Sequence, residues 1–211
     1  MNIAFLGYGK VGAALADHLQ RAGHHVSLAA RDPDSGSVKK ALARNPALKV
    51  AGQKVAVSDA EVVFLATPFQ ANEAALGAVA LEIRGKILID CTNPVGANLS
   101  HGLNNVESGS EMVQRTVPET RVVKAFTIYG FENFEDSSYP GYNVMPVMMY
   151  CGNDSGAKKI VCELTAQLGW QPLDAGGLEQ ALHLEHMTLL WVRMVRVNGH
   201  SPDMVWAMLT R

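Results

Sequence analysis

Short apolar runs alternate with stretches of helical spacing along the whole chain. Met1–Leu6 is almost wholly apolar and reads as a strand. Val11, Leu15 and Leu19 then share one helical face, with Ala14 and His18 beside them, and Arg21-Ala22-Gly23 closes that helix. His25–Ala30 is a second strand, ending at Arg31. His18, His24 and His25 read as structural or solvent-facing residues within these elements.

The same alternation continues downstream. Pro33–Asn45 is a loop entering a short helix that Pro46 interrupts. Lys54–Val57 is expected as a small strand, and Ser58–Ala60 as a turn. Glu61–Ala66 is a buried strand, Gln70–Glu82 a helix and Lys86–Asp90 another strand. Residues 95–110 are rich in Gly, Asn and Ser and read as a mobile or substrate-side loop. Ser110–Thr116 predicts a short helix, Arg121–Ala125 a strand and Val144–Tyr150 a methionine-rich strand. Asp154–Leu168 predicts a helix capped by Asp154 or Ser155, and Trp170–Asp174 a final extended segment. Gly176-Gly177 opens a last helical region, Leu178–Val197, whose expected apolar face holds Leu182, Met187, Leu190, Met194 and Val197. Alternating strand and helix predict an α/β fold of the Rossmann type, a doubly wound, mostly parallel sheet flanked by helices. Residues 1–211 are expected to form one domain, with 176–211 as a helical extension.

The strongest candidate chemistry lies in the first turn. Gly7-Tyr-Gly-Lys-Val-Gly12 joins the first strand to the first helix with GxGxxG spacing. Gly7 allows the tight turn, Gly9 lets backbone approach a pyrophosphate, and Gly12 lets helix and sheet pack closely. Unpaired N–H groups at the helix start face the anion. Gly7, Tyr8, Gly9, Lys10, Val11 and Gly12 are therefore the expected cofactor cradle. An NAD-specific site places an acidic residue near the end of the second strand. Here the chain offers Ala29, Ala30 and then Arg31, whose guanidinium suits a 2′-phosphate. Asp32 offers the competing choice of turning toward the ribose. Lys39 and Lys40 either add charge to a phosphate pocket or form a solvated helix face. Ala66-Thr67-Pro68 and Asn93-Pro94 follow two buried strands and belong in the crevice at the strands' carboxyl ends. Asn93 and Pro94 are expected to line a nicotinamide pocket; a structural Asn-Pro turn is the alternative.

Composition narrows the class. Of 211 residues 48% are apolar, and the formal net charge of −2 carries no surplus for nucleic acid. Three cysteines, Cys91, Cys151 and Cys162, lack metal spacing and suggest buried thiols in a reducing, cytoplasmic compartment. Neither a signal peptide nor a membrane span is expected. Glu179, His183 and His186 share a helical face by spacing, but no HExxH or adjoining cysteine accompanies them. Helix-cap or cleft roles fit them better, and no metal is expected. No Lys-Tyr pair is placed to polarise a carbonyl, and no residue is singled out as catalytic. Direct hydride transfer between a nicotinamide and a planar acceptor needs stacking and no side-chain acid. Residues 129–143 carry Tyr129, Phe131, Phe134, Tyr139 and Tyr142, which either cover such an acceptor or pack on a second copy in a homodimer.

The chain resembles the small NADPH-binding oxidoreductases typified by the deazaflavin-dependent NADP oxidoreductase. It is also similar to the cytosolic reductase domain of the membrane metalloreductases. The marks are Gly7–Gly12, Ala30-Arg31, Phe64-Leu-Ala-Thr-Pro-Phe69 and Lys86-Ile-Leu-Ile-Asp-Cys-Thr-Asn-Pro94. They continue through Val117-Pro118, Val122-Val-Lys-Ala-Phe126, Cys151-Gly-Asn-Asp154 and Leu173–Glu179. The resemblance implies NADP(H) at Gly7–Gly12 with Arg31 on the 2′-phosphate. It implies nicotinamide contacts from Thr67, Pro68, Asn93 and the chain around Ala125 and Phe126, and a flavin or deazaflavin as acceptor substrate. Thr127 stands where the family carries Asn, Ala30 where it carries Ser, and Gln180 and His183 where it often carries Asn and Arg. The competing readings are a non-catalytic NADP(H) sensor and a small imine or keto-acid reductase with a proton donor near Thr127 or His183.

Overall fold

The computed structural model describes every residue from Met1 to Arg211. Its first half runs β1 (Asn2–Leu6), α1 (Lys10–Arg21), β2 (His25–Ala30), α2 (Gly36–Arg44) and β3 (Lys49–Gly52). Next come α3 (Gln53–Asp59), β4 (Val62–Leu65), α4 (Asn72–Gly77), β5 (Ile87–Asp90), α5 (Gly109–Thr116) and β6 (Arg121–Lys124). The chain ends with α6 (Glu132–Glu135), β7 (Val147–Gly152), α7 (Ser155–Gln167), β8 (Gln171–Asp174) and α8 (Ala181–Arg196). The eight strands form one sheet in the order β3-β2-β1-β4-β5-β6-β7-β8. Neighbours pair in parallel except β6 and β7, which are antiparallel. The strand order reverses between β1 and β4, as in a doubly wound Rossmann sheet.

Strand alternation builds the two cores. Ile3, Phe5, Val62, Phe64, Ile87 and Ile89 face one layer, with residues of α1, α7 and α8. Ala4, Leu6, Val63, Leu65 and Leu88 face the other, with residues of α3, α4 and α5. A sheet covered on both faces needs strands that are apolar at every position, and β4 is buried throughout. Phe5 and Phe64 stack at 4.6 Å between ring centroids and lock β1 to β4.

The structure corrects several expectations. Lys54–Val57 is not a strand; it belongs to α3, and the strand is the preceding Lys49–Gly52. Ala51 and Gly52 lie opposite Ala29 and Ala30 of β2, while Val55 is 58% exposed and Ala56 and Val57 are buried, a helical rather than an alternating pattern. The helix expected over Gln70–Glu82 is a 3-10 turn at Phe69–Ala71 followed by the short α4. The apolar face expected on α8 is out of phase. Leu190 and Val197 are more than half exposed, whereas Leu184, Thr188, Trp191 and the acidic Glu185 are buried. Polar residues on the inner face shifted the apparent apolar stripe.

Residues 129–143 are no simple flap. Tyr129 and Phe134 are buried around Trp170, stacked and edge-on respectively. Phe131 lies under the Lys10 ammonium, 4.2 Å from the ring centre, and Tyr142 is exposed. No helix is long and apolar enough to cross a membrane.

Candidate functional site

Four strands end on one level. Leu6 pairs with Leu65, Leu65 with Asp90, and Asp90 with Lys124. The loops starting at Gly7, Ala66, Cys91 and Ala125 therefore leave the sheet side by side, bordering the crevice where strand order reverses. Ala66 N–H donates to the Leu6 carbonyl and Cys91 N–H to Leu65, extending the ladder one residue into these loops.

The glycine turn suits a diphosphate. Gly7 has φ +91°, and a Cβ there would lie 2.5 Å from the Ala66 backbone. A Cβ on Gly12 would lie 2.2 Å from the Gly7 carbonyl oxygen, so only glycine lets α1 approach the turn. Gly9 differs: a Cβ there meets nothing within 4 Å, because that face opens outward. Gly9 is also the N-cap of α1, and no side chain caps the helix start. Its first N–H groups have no acceptor within the helix, which is the chemistry an anion completes. Tyr8 and Val11 are half-buried beside the turn, and Lys10 is exposed.

Arg31 leaves β2 beside this turn, exposed and outside every ion pair of the molecule. Asp32 is occupied locally, accepting the Asp34 N–H at 3.0 Å in its own turn. Lys39 and Lys40 are exposed on α2. The cationic choice weighed from the sequence thus has Arg31 free and Asp32 engaged.

Beneath the loops runs a buried polar network that sequence reasoning missed. Thr67 Oγ1 donates to Asn72 Oδ1 at 2.7 Å, and Asn72 Nδ2 donates to Thr92 Oγ1 at 2.8 Å. Thr92 donates in turn to Asp90 Oδ1, which also accepts the Thr92 N–H. Asp90 Oδ2 accepts Ser110 Oγ at 2.5 Å and faces Lys124 Nζ at 3.4 Å. Lys124 also donates to the Thr92 carbonyl and to Glu185 Oε1 on α8. Glu185 further accepts the Gly109 N–H and lies 2.8 Å from His101 Nε2. Asp90 and Lys124 have no exposed side chain and Glu185 almost none. Burial alone pulls the Lys124 ammonium down; the carboxylates of Asp90 and Glu185 outweigh it and hold its pKa above the ordinary value.

This network pins segment 95–110. Val95 bridges to His101, Gly102 N–H donates to the Pro94 carbonyl, and His101 is buried against Glu185. The one available signal was a charge ending each of two neighbouring apolar strands, Asp90 and Lys124. Ser108 is the N-cap of α5 in a full capping box with Glu111, and Ser110 serves Asp90.

The structure brings together Gly7–Gly12, Ala66, Thr67, Pro68, Asn93 and Pro94 around the strand ends, with Arg31 at the rim. Ala125 and Phe126 differ: both are fully buried, backbone included, and the Phe126 ring packs on Phe64, so neither of these expected cofactor contacts is open to the crevice. Glu179, His183 and His186 form no metal-binding group; His186 contacts Asn105 and His183 is exposed.

Comparison with known proteins shows the family of the chain. Residues 2–94 match the family model described as NADP oxidoreductase, coenzyme F420-dependent. The chain is 32% identical over 209 residues to the F420-dependent NADP reductase of Methanothermobacter marburgensis, covering 92% of each protein. It is 30% identical over 189 residues to rat metalloreductase STEAP3, but spans only 36% of that protein's length. A crystal structure of a candidate F420-dependent NADP reductase from Arthrobacter sp. FB24 superposes with a TM-score of 0.85 at 31% identity, covering 94% of this chain and 95% of that one. The chain belongs to the F420-dependent NADP reductase family and, with it, to the NADP-dependent oxidoreductases.

Proposed function

We propose that the protein transfers a hydride directly between NADP(H) and a deazaflavin or related flavin-like acceptor. When bound, NADPH supplies the hydride, and a proton from solvent completes reduction of the acceptor. The backbone from Gly7 to Gly12, with Tyr8, Lys10 and Val11, holds the pyrophosphate. Arg31 grips the 2′-phosphate, with Lys39 adding positive charge. Ala66, Thr67, Pro68, Asn93 and Pro94 shape the nicotinamide pocket, with Ala125 and Phe126 buried behind them. The carrying observation is the level row of strand ends, wired beneath by the Thr67–Asn72–Thr92–Asp90 chain of hydrogen bonds. A rigid floor lets two flat rings stack at reacting distance, which is the main requirement of this chemistry. Similarity across 92% of the Methanothermobacter marburgensis enzyme supports a deazaflavin as the partner.

Anaerobic mixing with NADPH and a panel of deazaflavin, flavins, quinones and imines tests the acceptor. Oxidation of NADPH is expected fastest with the deazaflavin; no oxidation above background with any flavin-like acceptor refutes the reading. Arg31→Ala should weaken NADPH binding about tenfold or more, the worth of charge-assisted hydrogen bonds. NADH binding should stay unchanged. Equal weakening of both cofactors would show that Arg31 does not read the phosphate.

A further inference from the structure

The loop after β6 carries two residues in a conformation that side chains rarely adopt. Phe126 has φ 51° and Ile128 has φ 65°. A β-branched residue such as Ile128 is strained there and stays only when its surroundings demand it. The conformation aims the Ile128 N–H at Thr188 Oγ1 on α8, 3.0 Å away. Thr188 Oγ1 lies 2.7 Å from Thr127 Oγ1, and Thr127 Oγ1 donates to Asn93 Oδ1 at 2.8 Å.

Counting protons gives this chain a direction. Each hydroxyl has one proton to donate. The Thr127 proton goes to Asn93, so in the 2.7 Å contact Thr127 accepts and Thr188 donates. Thr188 Oγ1 also lies 3.0 Å from the Leu184 carbonyl, whose second lone pair is open beside its helical N–H; the 2.7 Å contact with Thr127 is the shorter of the two, and with the Thr127 proton on Asn93 only the Thr188 proton is left to fill it. The series therefore runs from the Ile128 N–H through Thr188 and Thr127 to Asn93 Oδ1. It starts at a backbone donor, which cannot reverse. Thr127 and Thr188 are buried, while Asn93 is half-buried and its Nδ2 has no partner in the protein.

We propose that Thr188 is a positioning residue that fixes Asn93, through Thr127, as a hydrogen-bond donor facing the crevice. The group it suits is a carbonyl oxygen. On the reading above, on which this inference rests, that is the carboxamide oxygen of the nicotinamide. The last helix thereby sets the rotation of the ring that carries the hydride.

Binding of NADPH and of 2′-phospho-ADP-ribose, which lacks the nicotinamide, tests this without turnover. Thr188→Val should weaken NADPH about five- to tenfold, the worth of one oriented hydrogen bond. It should leave 2′-phospho-ADP-ribose unmoved, and Thr188→Ser should restore NADPH affinity. Asn93→Asp, which can only accept on its crevice side, should lose NADPH affinity at least as far as Asn93→Ala. The proposal is overturned if Asn93→Ala weakens NADPH while Thr188→Val binds it normally. Retained affinity in Asn93→Asp, or equal loss of both ligands in Thr188→Val, also overturns it. If Asn93→Ala leaves NADPH binding unchanged, the nicotinamide pocket is misassigned and the proposal falls with it.

Discussion

Gly9 and Gly12 differ by three positions in the chain and have opposite jobs. At Gly12 the place a Cβ would take is filled, the nearest obstacle being the Gly7 carbonyl oxygen. Gly12→Ala should therefore destabilise the fold by about 1–3 kcal/mol, as overpacking usually does. Around Gly9 the space belongs to the crevice. Gly9→Ala should keep the melting temperature and lose NADP(H) affinity. Thermal melts paired with NADPH titration separate the two; a Gly9→Ala protein that binds NADPH normally would remove the turn from the phosphate site. Cys91 illustrates a residue whose place in the motif suggests chemistry that its surroundings deny. Burial, reinforced by Asp90, pushes its thiol well above the usual value, so it remains a thiol and packs as a small apolar group.

Helix α8 carries more of the site than its apolar content suggests. Glu185 neutralises Lys124, holds His101 and caps Gly109, so three elements meet on one carboxylate. Glu185→Gln leaves Lys124 buried with Asp90 alone, and breaking such a buried pair typically costs about 3–5 kcal/mol. Urea unfolding of the variant should show that loss; an unchanged midpoint would mean Lys124 finds its compensation elsewhere. This helix also marks the limit of what was legible beforehand. Strands β4 and β5 were plain because their apolar runs are unbroken, and the glycine turn because its spacing serves one geometry. The doubly wound, mostly parallel class followed from the alternation of element types, whereas the order of the strands comes from the structure. The inner face of α8 was misread because its Glu185 and Thr188 look solvent-facing until their buried partners are known. Those partners lie far off in the chain: Lys124 is 61 residues from Glu185, and His101 is 84. The strand expected at Lys54–Val57 falls inside α3 because β3 and α3 abut at Gly52 and Gln53, with no turn residues between them to mark the boundary.

Stability of the whole molecule should follow its few shifted groups. Burial, together with the nearby charges of His101 and His183, depresses His186 below its ordinary 6.5. The unfolded chain takes up that proton first, so stability falls as pH drops through about 6.5. Asp17 is pulled up by burial and, more strongly, down by Arg21, Arg44 and Asn45, so its contribution holds above 3.8 and is lost in stronger acid. Lys124 is held above 10.5, so its contribution is intact below that value and disappears as pH rises through the folded pKa. Urea midpoints measured between about pH 4 and pH 11 should form a plateau from near neutrality to mild alkalinity. A midpoint still rising above pH 10.5 would contradict the Lys124 assignment. The partnership of Lys124 with Glu185 also bears on how the chain is made. A ribosome releases the glycine turn, both walls of the crevice and Lys124 well before α8 emerges. Until then a lysine destined for the interior has one carboxylate where it needs two, and segment 95–110 has no His101 anchor. A nascent chain stalled before residue 181 should stay open to protease although it holds the entire phosphate-binding motif, and should become resistant once α8 clears the exit tunnel.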